Sequence, residues 1–102
     1  MINYNITVNV DADITKDWLD WMKKEHIPDV MSSGAFLNAQ IKKVITRIDN
    51  GNTFAITYTC DSMKDLHHYQ VHFSDDLQRK HIARYGDKAV AFRTIMQVIQ
   101  EF

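Results

Sequence analysis

One cysteine, one proline and three glycines are all that the 102 residues contain of the types that staple, break or loosen a chain. A lone Cys60 cannot form an internal disulfide, so a cross-linked secreted scaffold is excluded and a reducing, cytoplasmic setting is expected. So little glycine and proline also argues against disorder and flexible linkers. No stretch of about 20 apolar residues occurs, and no charged and apolar leader precedes the first strand pattern, so no membrane partner is expected. An excess of charge of one sign is lacking too. Twelve Lys and Arg stand against 13 Asp and Glu, with a pI near 6.5, so no field exists to attract a phosphate backbone and nucleic acid is not an expected partner. The glycines are scattered and form no phosphate loop, no serine sits in a nucleophile elbow, and Cys60 has no obvious base beside it.

What is present is an ordinary globular mixture, 45% hydrophobic and 25% charged. Its length suits a single domain over residues 1–102, burying roughly 60 to 68% of the unfolded surface. Met1 to Val10 alternates strictly, with Ile2, Tyr4, Ile6, Val8 and Val10 on one face and Asn3, Asn5, Thr7 and Asn9 on the other, which is a half-buried strand. Asp13 is a plausible N-cap for the helix that follows. Ala35 to Asp49 is rich in β-branched residues and predicts a long strand, bulged or bent near Lys42 and Lys43. Asp49-Asn50-Gly51-Asn52 predicts a tight hairpin, and Thr53 to Cys60 alternates again on its far side. Ser62 and Asp65 form a capping-box variant that opens a second helix, whose stripe is Leu66, Tyr69, Phe73, Leu77, His81 and Arg84. A break is expected near Ser74-Asp75, where Ser74 is a possible new N-cap, and Gly86-Asp87 ends the helix. Lys88 to Gln100 is a last strand.

The order is therefore strand, helix, strand, strand, helix, strand. Right-handed crossovers put both helices on one face of a single four-stranded antiparallel sheet, an α+β arrangement. The opposite face still holds apolar residues, of which Ile95 and Ile99, or their strand alternates, are the clearest. A bare apolar sheet face is unusual in a monomer, so a sheet-to-sheet homodimer is expected.

The stretch from Trp18 to Phe36 concentrates both tryptophans, the single proline and a Glu-His pair. At 100° per residue, Ile14, Trp18, Trp21 and Met22 share a stripe, Glu25 falls roughly 20° from Ile14 inside that stripe, and His26 lies on its shoulder. Pro28 predicts that the helix ends near His26 and that a short second turn begins at the proline and stops at Gly34.

The run Trp18-x-x-Trp21-Met22-x-x-Glu25-His26-Ile27-Pro28-Asp29, with Arg84-Tyr85-Gly86-Asp87-Lys88, Ala91-Phe92-Arg93-Thr94 and Glu101-Phe102, resembles end to end a small bacterial family typical of Bacteroidetes, known as a domain of unknown function. The resemblance implies a ferredoxin-like βαββαβ fold of the dimeric α+β barrel kind and no known activity. More distantly, Glu-His-x-Pro at a helix end is similar to a feature of α+β barrel proteins that include cofactor-independent monooxygenases, haem-degrading monooxygenases and lactone isomerases. In those proteins the working cavity lies between a monomer's sheet and its helices.

Glu25 and His26 are the leading catalytic candidates, since burial raises a carboxyl pKa and lowers an imidazole pKa, which can poise such a pair for proton transfer. A helix end finished by a dipole-favoured His and a solvent-facing Glu is the plainer account. His81 is the third candidate and the one inner-face imidazole that haem would need, although a His on an apolar stripe is more often a hydrogen-bonded core residue; no cofactor is assigned. Arg84 and Arg93 are candidate anion contacts, and Trp18, Trp21 and Tyr58 candidate walls of an apolar pocket, with Tyr4 and Phe73 beside them. His68 and His72 have metal-ligand spacing but face away from the stripe without a third ligand, so no metal site is assigned. The element order also fits an RNA-recognition module and an acyl-phosphate hydrolase. Thr53 to Tyr58 lacks the glycines and leading basic residue of the first, and Asp11-Ala-Asp13 stands where the second needs an anion loop. The expectation is a small homodimeric protein that binds an apolar or aromatic small molecule. A monooxygenase- or isomerase-like enzyme and a pure interaction module are the alternatives.

Overall fold

A computed structural model describes residues 1–47 and 52–102. Strand β1 (Ile2–Val10) lies at the centre of the sheet, between β3 (Thr53–Cys60) and β4 (Ala89–Gln97), and β2 (Asn38–Lys43) flanks β3. All three pairings are antiparallel. The register brings side chains into rows across the helix-facing side: Ala39, Tyr58, Tyr4 and Ile95 form one, and Ile41, Ile56, Ile6 and Arg93 the next. The even-numbered residues of β1 and β3 join Trp18, Met22, Val30, Leu66, Tyr69, Leu77 and Tyr85 in one core, so the helices lie on the same face. The order β2-β3-β1-β4 and this one-sided cover are the architecture expected from the strand and helix pattern.

The other sheet face carries the polar residues of β1 expected there and, of the two apolar sets expected on the last strand, the alternates of Ile95 rather than Ile95 itself. It is a ladder of Asn and Thr, in which Thr57 Oγ1 donates to Asn5 Oδ1 at 2.8 Å and Thr59 Oγ1 to Asn3 Oδ1 at 3.1 Å. Ile95 does not belong to it, because its pairing with Tyr4 turns it toward the helices, and Ile99 lies beyond the strand. Their alternates Val90, Phe92 and Met96, 62%, 63% and 43% exposed, carry the apolar surface of that face as a stripe along one edge strand.

Several boundaries are corrected. Asp13 caps nothing: it pairs with Lys88 at 2.8 Å, and the Asp11 carbonyl accepts from Thr15 Oγ1 instead. Strand β2 starts at Asn38 and stops at Lys43 rather than bending there, and β4 stops at Gln97 rather than Gln100. The Asp49-to-Asn52 hairpin lies outside the described residues except for Asn52, whose carbonyl accepts from Val10 N. The largest correction concerns Pro28. The helix does not end at His26: α1 (Thr15–Trp21) runs into a π-helical turn at Met22–His26 and on into α2 (Ile27–Ser32), with Gly34 at φ 78° just beyond. A proline ring inside a helix collides with the carbonyl four residues back, here that of Lys24, and a wider turn relieves the collision without a break.

The second helical segment behaves as its caps predict. Asp65 N donates to Ser62 Oγ at the start of α3 (Met63–His72), and α4 (Ser74–Tyr85) ends at Gly86, φ 57°. The break falls at Phe73, which occupies the cap position, so Ser74 is the first residue of α4 and is buried rather than capping. Replacing Ser62 with Ala is expected to cost about 1 kcal/mol in urea unfolding through the lost cap, whereas Ser32→Ala, late in α2, changes stability by less than about 0.5 kcal/mol.

A candidate ligand cavity between sheet and helices

The floor of a cavity of about 170 Å³ is made by the sheet rows, with Tyr4, Ile6, Val8, Ile56 and Tyr58 at its centre and Arg93 at its β4 edge. Met22, His26 and Val30 close it from the first helical segment, and Tyr69, Ser74, Leu77, Gln78 and His81 from the second.

The π turn decides which residue of the Glu-His pair enters. The Ile27 N–H reaches back five residues to the Met22 carbonyl, so each residue of this turn advances through a smaller angle than in an α-helix. His26 thereby moves from the shoulder of the apolar stripe toward its centre, and Glu25 moves out of the stripe to solvent, beside Trp21, Asp29, Lys80 and Arg84. The His26 ring stacks on Trp21 with centroids 4.8 Å apart, and its Nδ1 is buried with no hydrogen-bond partner among the described residues. Burial, then the neighbouring His81, holds its pKa down at about 4, so the ring is neutral at pH 7.

His81 stands 5.8 Å from His26, centroid to centroid. Its Nε2 accepts the indole Nε1–H of Trp18 at 2.9 Å, and Trp18 itself is 0% exposed, against Phe54 of the sheet. Since an indole N–H only donates, Nε2 must keep its lone pair and the proton of the neutral ring sits on Nδ1. Burial and the Arg93 charge lower the His81 pKa, and the indole acts in the same direction by excluding the imidazolium form. The Trp18 bond also occupies the nitrogen that an axial haem ligand would most readily use.

Of the eight candidate residues, His26, His81, Tyr58 and Arg93 line the cavity together. Trp18 and Trp21 do not line it but hold the two histidines, one by a hydrogen bond and one by stacking. Glu25 and Arg84 lie outside it. Arg84 spans the Trp21 and Tyr85 rings and donates to Tyr85 Oη, which donates in turn to Asp17. Sequence reasoning missed Tyr69 as a wall, and Ser74 and Gln78, whose side chains hydrogen-bond each other at 2.7 Å. The signal was there: 74, 77, 78 and 81 share one helix face. Burial raises the pKa values of Tyr58 and Tyr69, so both hydroxyls stay protonated, and neither has a hydrogen-bond partner among the described residues. No group of three or more metal-ligating side chains occurs among the described residues, and the His68–His72 pair, 4.4 Å between centroids, is exposed on α3.

This topology, with a cavity between sheet and helices, defines a ferredoxin-like α+β protein. The chain belongs to the family described as a domain of unknown function (DUF4286), whose model matches residues 1–99. No curated protein sequence matches it. Among solved structures, a dimeric ferredoxin-like protein from an uncultured marine organism is similar at 12% identity and TM-score 0.76, over 99% of this chain and 96% of that one. A candidate antibiotic biosynthesis monooxygenase from Deinococcus radiodurans is similar at 10% identity and TM-score 0.69, over 100% and 96%. An ethyl tert-butyl ether D family protein from Bacillus halodurans is similar at 10% identity and TM-score 0.68, over 97% and 100%. At these identities the likeness is one of fold.

The depressed His26 pKa makes stability depend on pH. Between about 4 and the ordinary value of 6.5 the unfolded chain binds more protons than the folded one, so the contribution is complete above 6.5 and is lost as the pH falls toward 4. For His26 alone it amounts to at most about 3 kcal/mol, and the lowered His81 pKa acts in the same sense. Urea unfolding is expected to show stability falling from pH 7 to pH 4.5, with a flatter profile in His26→Leu; an equally steep profile in that variant contradicts the assignment.

Proposed function

We propose that the protein is a homodimeric α+β barrel that binds a small apolar or aromatic molecule between its sheet and its helices. The observation that carries this reading is the cavity itself: apolar walls with a few convergent polar groups are the usual composition of a small-molecule site. Its volume of about 170 Å³ suits one ring, since an engineered cavity of about 150 Å³ accepts benzene. A pure interaction module has no use for such a space, and a packed interior would be more stable without it. The second copy covers the free sheet face through Val90, Phe92 and Met96, which is consistent with the relative described as dimeric. A cytoplasmic setting in a bacterium of the Bacteroidetes kind accords with the buried free thiol of Cys60 and with the family resemblance.

A second reading, an enzyme of the isomerase or monooxygenase type, draws on His26, which lines the cavity and whose buried Nδ1 has no partner among the described residues, and on the relative described as a candidate monooxygenase. At a pKa of about 4, His26 is a weak base near neutrality, so binding is the better-supported role.

Titration with benzyl alcohol, followed by two-dimensional NMR, is expected to shift the His26, His81, Tyr58 and Tyr69 signals together, and Ala91→Trp, which fills the floor, to remove the shifts. Shifts scattered over the surface would contradict the cavity as the site. Sedimentation at micromolar concentration is expected to give a dimer that Phe92→Asp converts to a monomer. A monomeric wild type would remove the second copy from the proposal.

A further inference from the structure

The polar groups around the cavity are unbalanced. Arg93 is the one formally charged side chain among the described lining residues, and no carboxylate faces it. By contrast, both arginines on the helices are matched: Arg84 lies 3.5 Å from Asp17 and Arg79 3.5 Å from Asp76. Arg93 has no ion pair or hydrogen bond among the described residues, and its position on edge strand β4, opposite Ile6, puts a solvated guanidinium at the rim of an apolar floor. The remaining polar contributors are neutral. They are two imidazoles, the Tyr4, Tyr58 and Tyr69 side chains, and the Ser74–Gln78 pair, which is already bonded to itself.

This inventory discriminates between ligand classes. A cationic ligand meets a like charge and no acid. A dianion such as a phosphate monoester finds a single cation and walls that cannot solvate its other oxygens. A neutral hydrocarbon fits the walls and leaves the guanidinium unused. A group with one delocalised negative charge matches the planar two-pronged donor of Arg93, and the ring behind it matches a space one ring in size, bordered by Tyr58, Tyr69 and the imidazoles.

We propose that the ligand is a planar single-ring monoanion, an aromatic carboxylate or enolate, whose charged oxygens pair with Arg93 at the cavity rim while its ring lies between the sheet floor and His26 and His81. The proposal rests on the cavity reading above and adds charge and shape to it.

Benzoate and benzyl alcohol, alike in ring size and different in charge, separate the two claims by calorimetry. The wild type is expected to bind benzoate at least about tenfold more tightly than benzyl alcohol. Arg93→Gln is expected to lose about tenfold in benzoate affinity, with benzyl alcohol affinity within about twofold of wild type, and Arg93→Lys to retain part of the preference. Raising salt from about 0.05 to 0.5 M should weaken benzoate binding to the wild type and leave benzyl alcohol unaffected, a measurement that needs no variant. Benzyl alcohol binding as tightly as benzoate, or Arg93→Gln keeping the full benzoate affinity, overturns the proposal and leaves the cavity reading standing. Failure of both probes to bind overturns both.

Discussion

The hydrogen bond from the Trp18 indole to His81 Nε2 is the contact on which the candidate site depends. It joins α1 to α4 above the sheet, at 2.9 Å, between a tryptophan with no exposed surface and a histidine on the cavity wall. A buried indole N–H without an acceptor would carry a desolvation cost of about 1 to 3 kcal/mol, so core packing and site geometry are held by the same pair of atoms. Because the bond needs a neutral acceptor, it also sets the His81 tautomer. His81 in turn lowers the His26 pKa, and the two imidazoles are kept neutral together with Arg93 close to them.

The π turn is the second constraint. Proline within a helix usually marks its end, but here the helical backbone runs on from α1 into α2 and the cost is absorbed by one wide turn. That turn changes which side chains face inward. Had an α-helical register held to position 26, a carboxylate would stand in the apolar stripe and the imidazole at its edge. With the wide turn the carboxylate is solvated, and Met22, His26 and Val30 face the cavity in line. The local irregularity carries two residues of the candidate site, Met22 and His26, and π turns are frequent at functional sites.

The sheet divides its two faces by chemistry. The helix side is aromatic and aliphatic, while the other side is an Asn–Thr ladder that satisfies much of itself through side-chain hydrogen bonds and leaves a stripe of Val90, Phe92 and Met96 on the edge strand. Such a face needs a smaller cover than a wholly apolar one, and the apolar part of any contact with a second copy is centred on β4.

Much of this was legible from residue order. Strict alternation in β1 and β3, the Ser62 cap and the glycine after α4 depend on neighbours in sequence, so pattern alone determined the element order, the sheet and the side on which the helices lie. The position of His81 on its stripe, and of Arg93 on the last strand, was visible for the same reason, whereas the sequence period left His26 on the shoulder of its stripe. Three things were decided only by tertiary structure. Whether Pro28 ends a helix or widens it depends on what the segment after it packs against, and Val30 of α2 is buried in the core. The direction in which Ile95 points depends on its pairing with Tyr4, which lies far away in sequence. That Trp18 supports a histidine rather than lining a pocket depends on a bond between residues 63 positions apart, which no local period encodes.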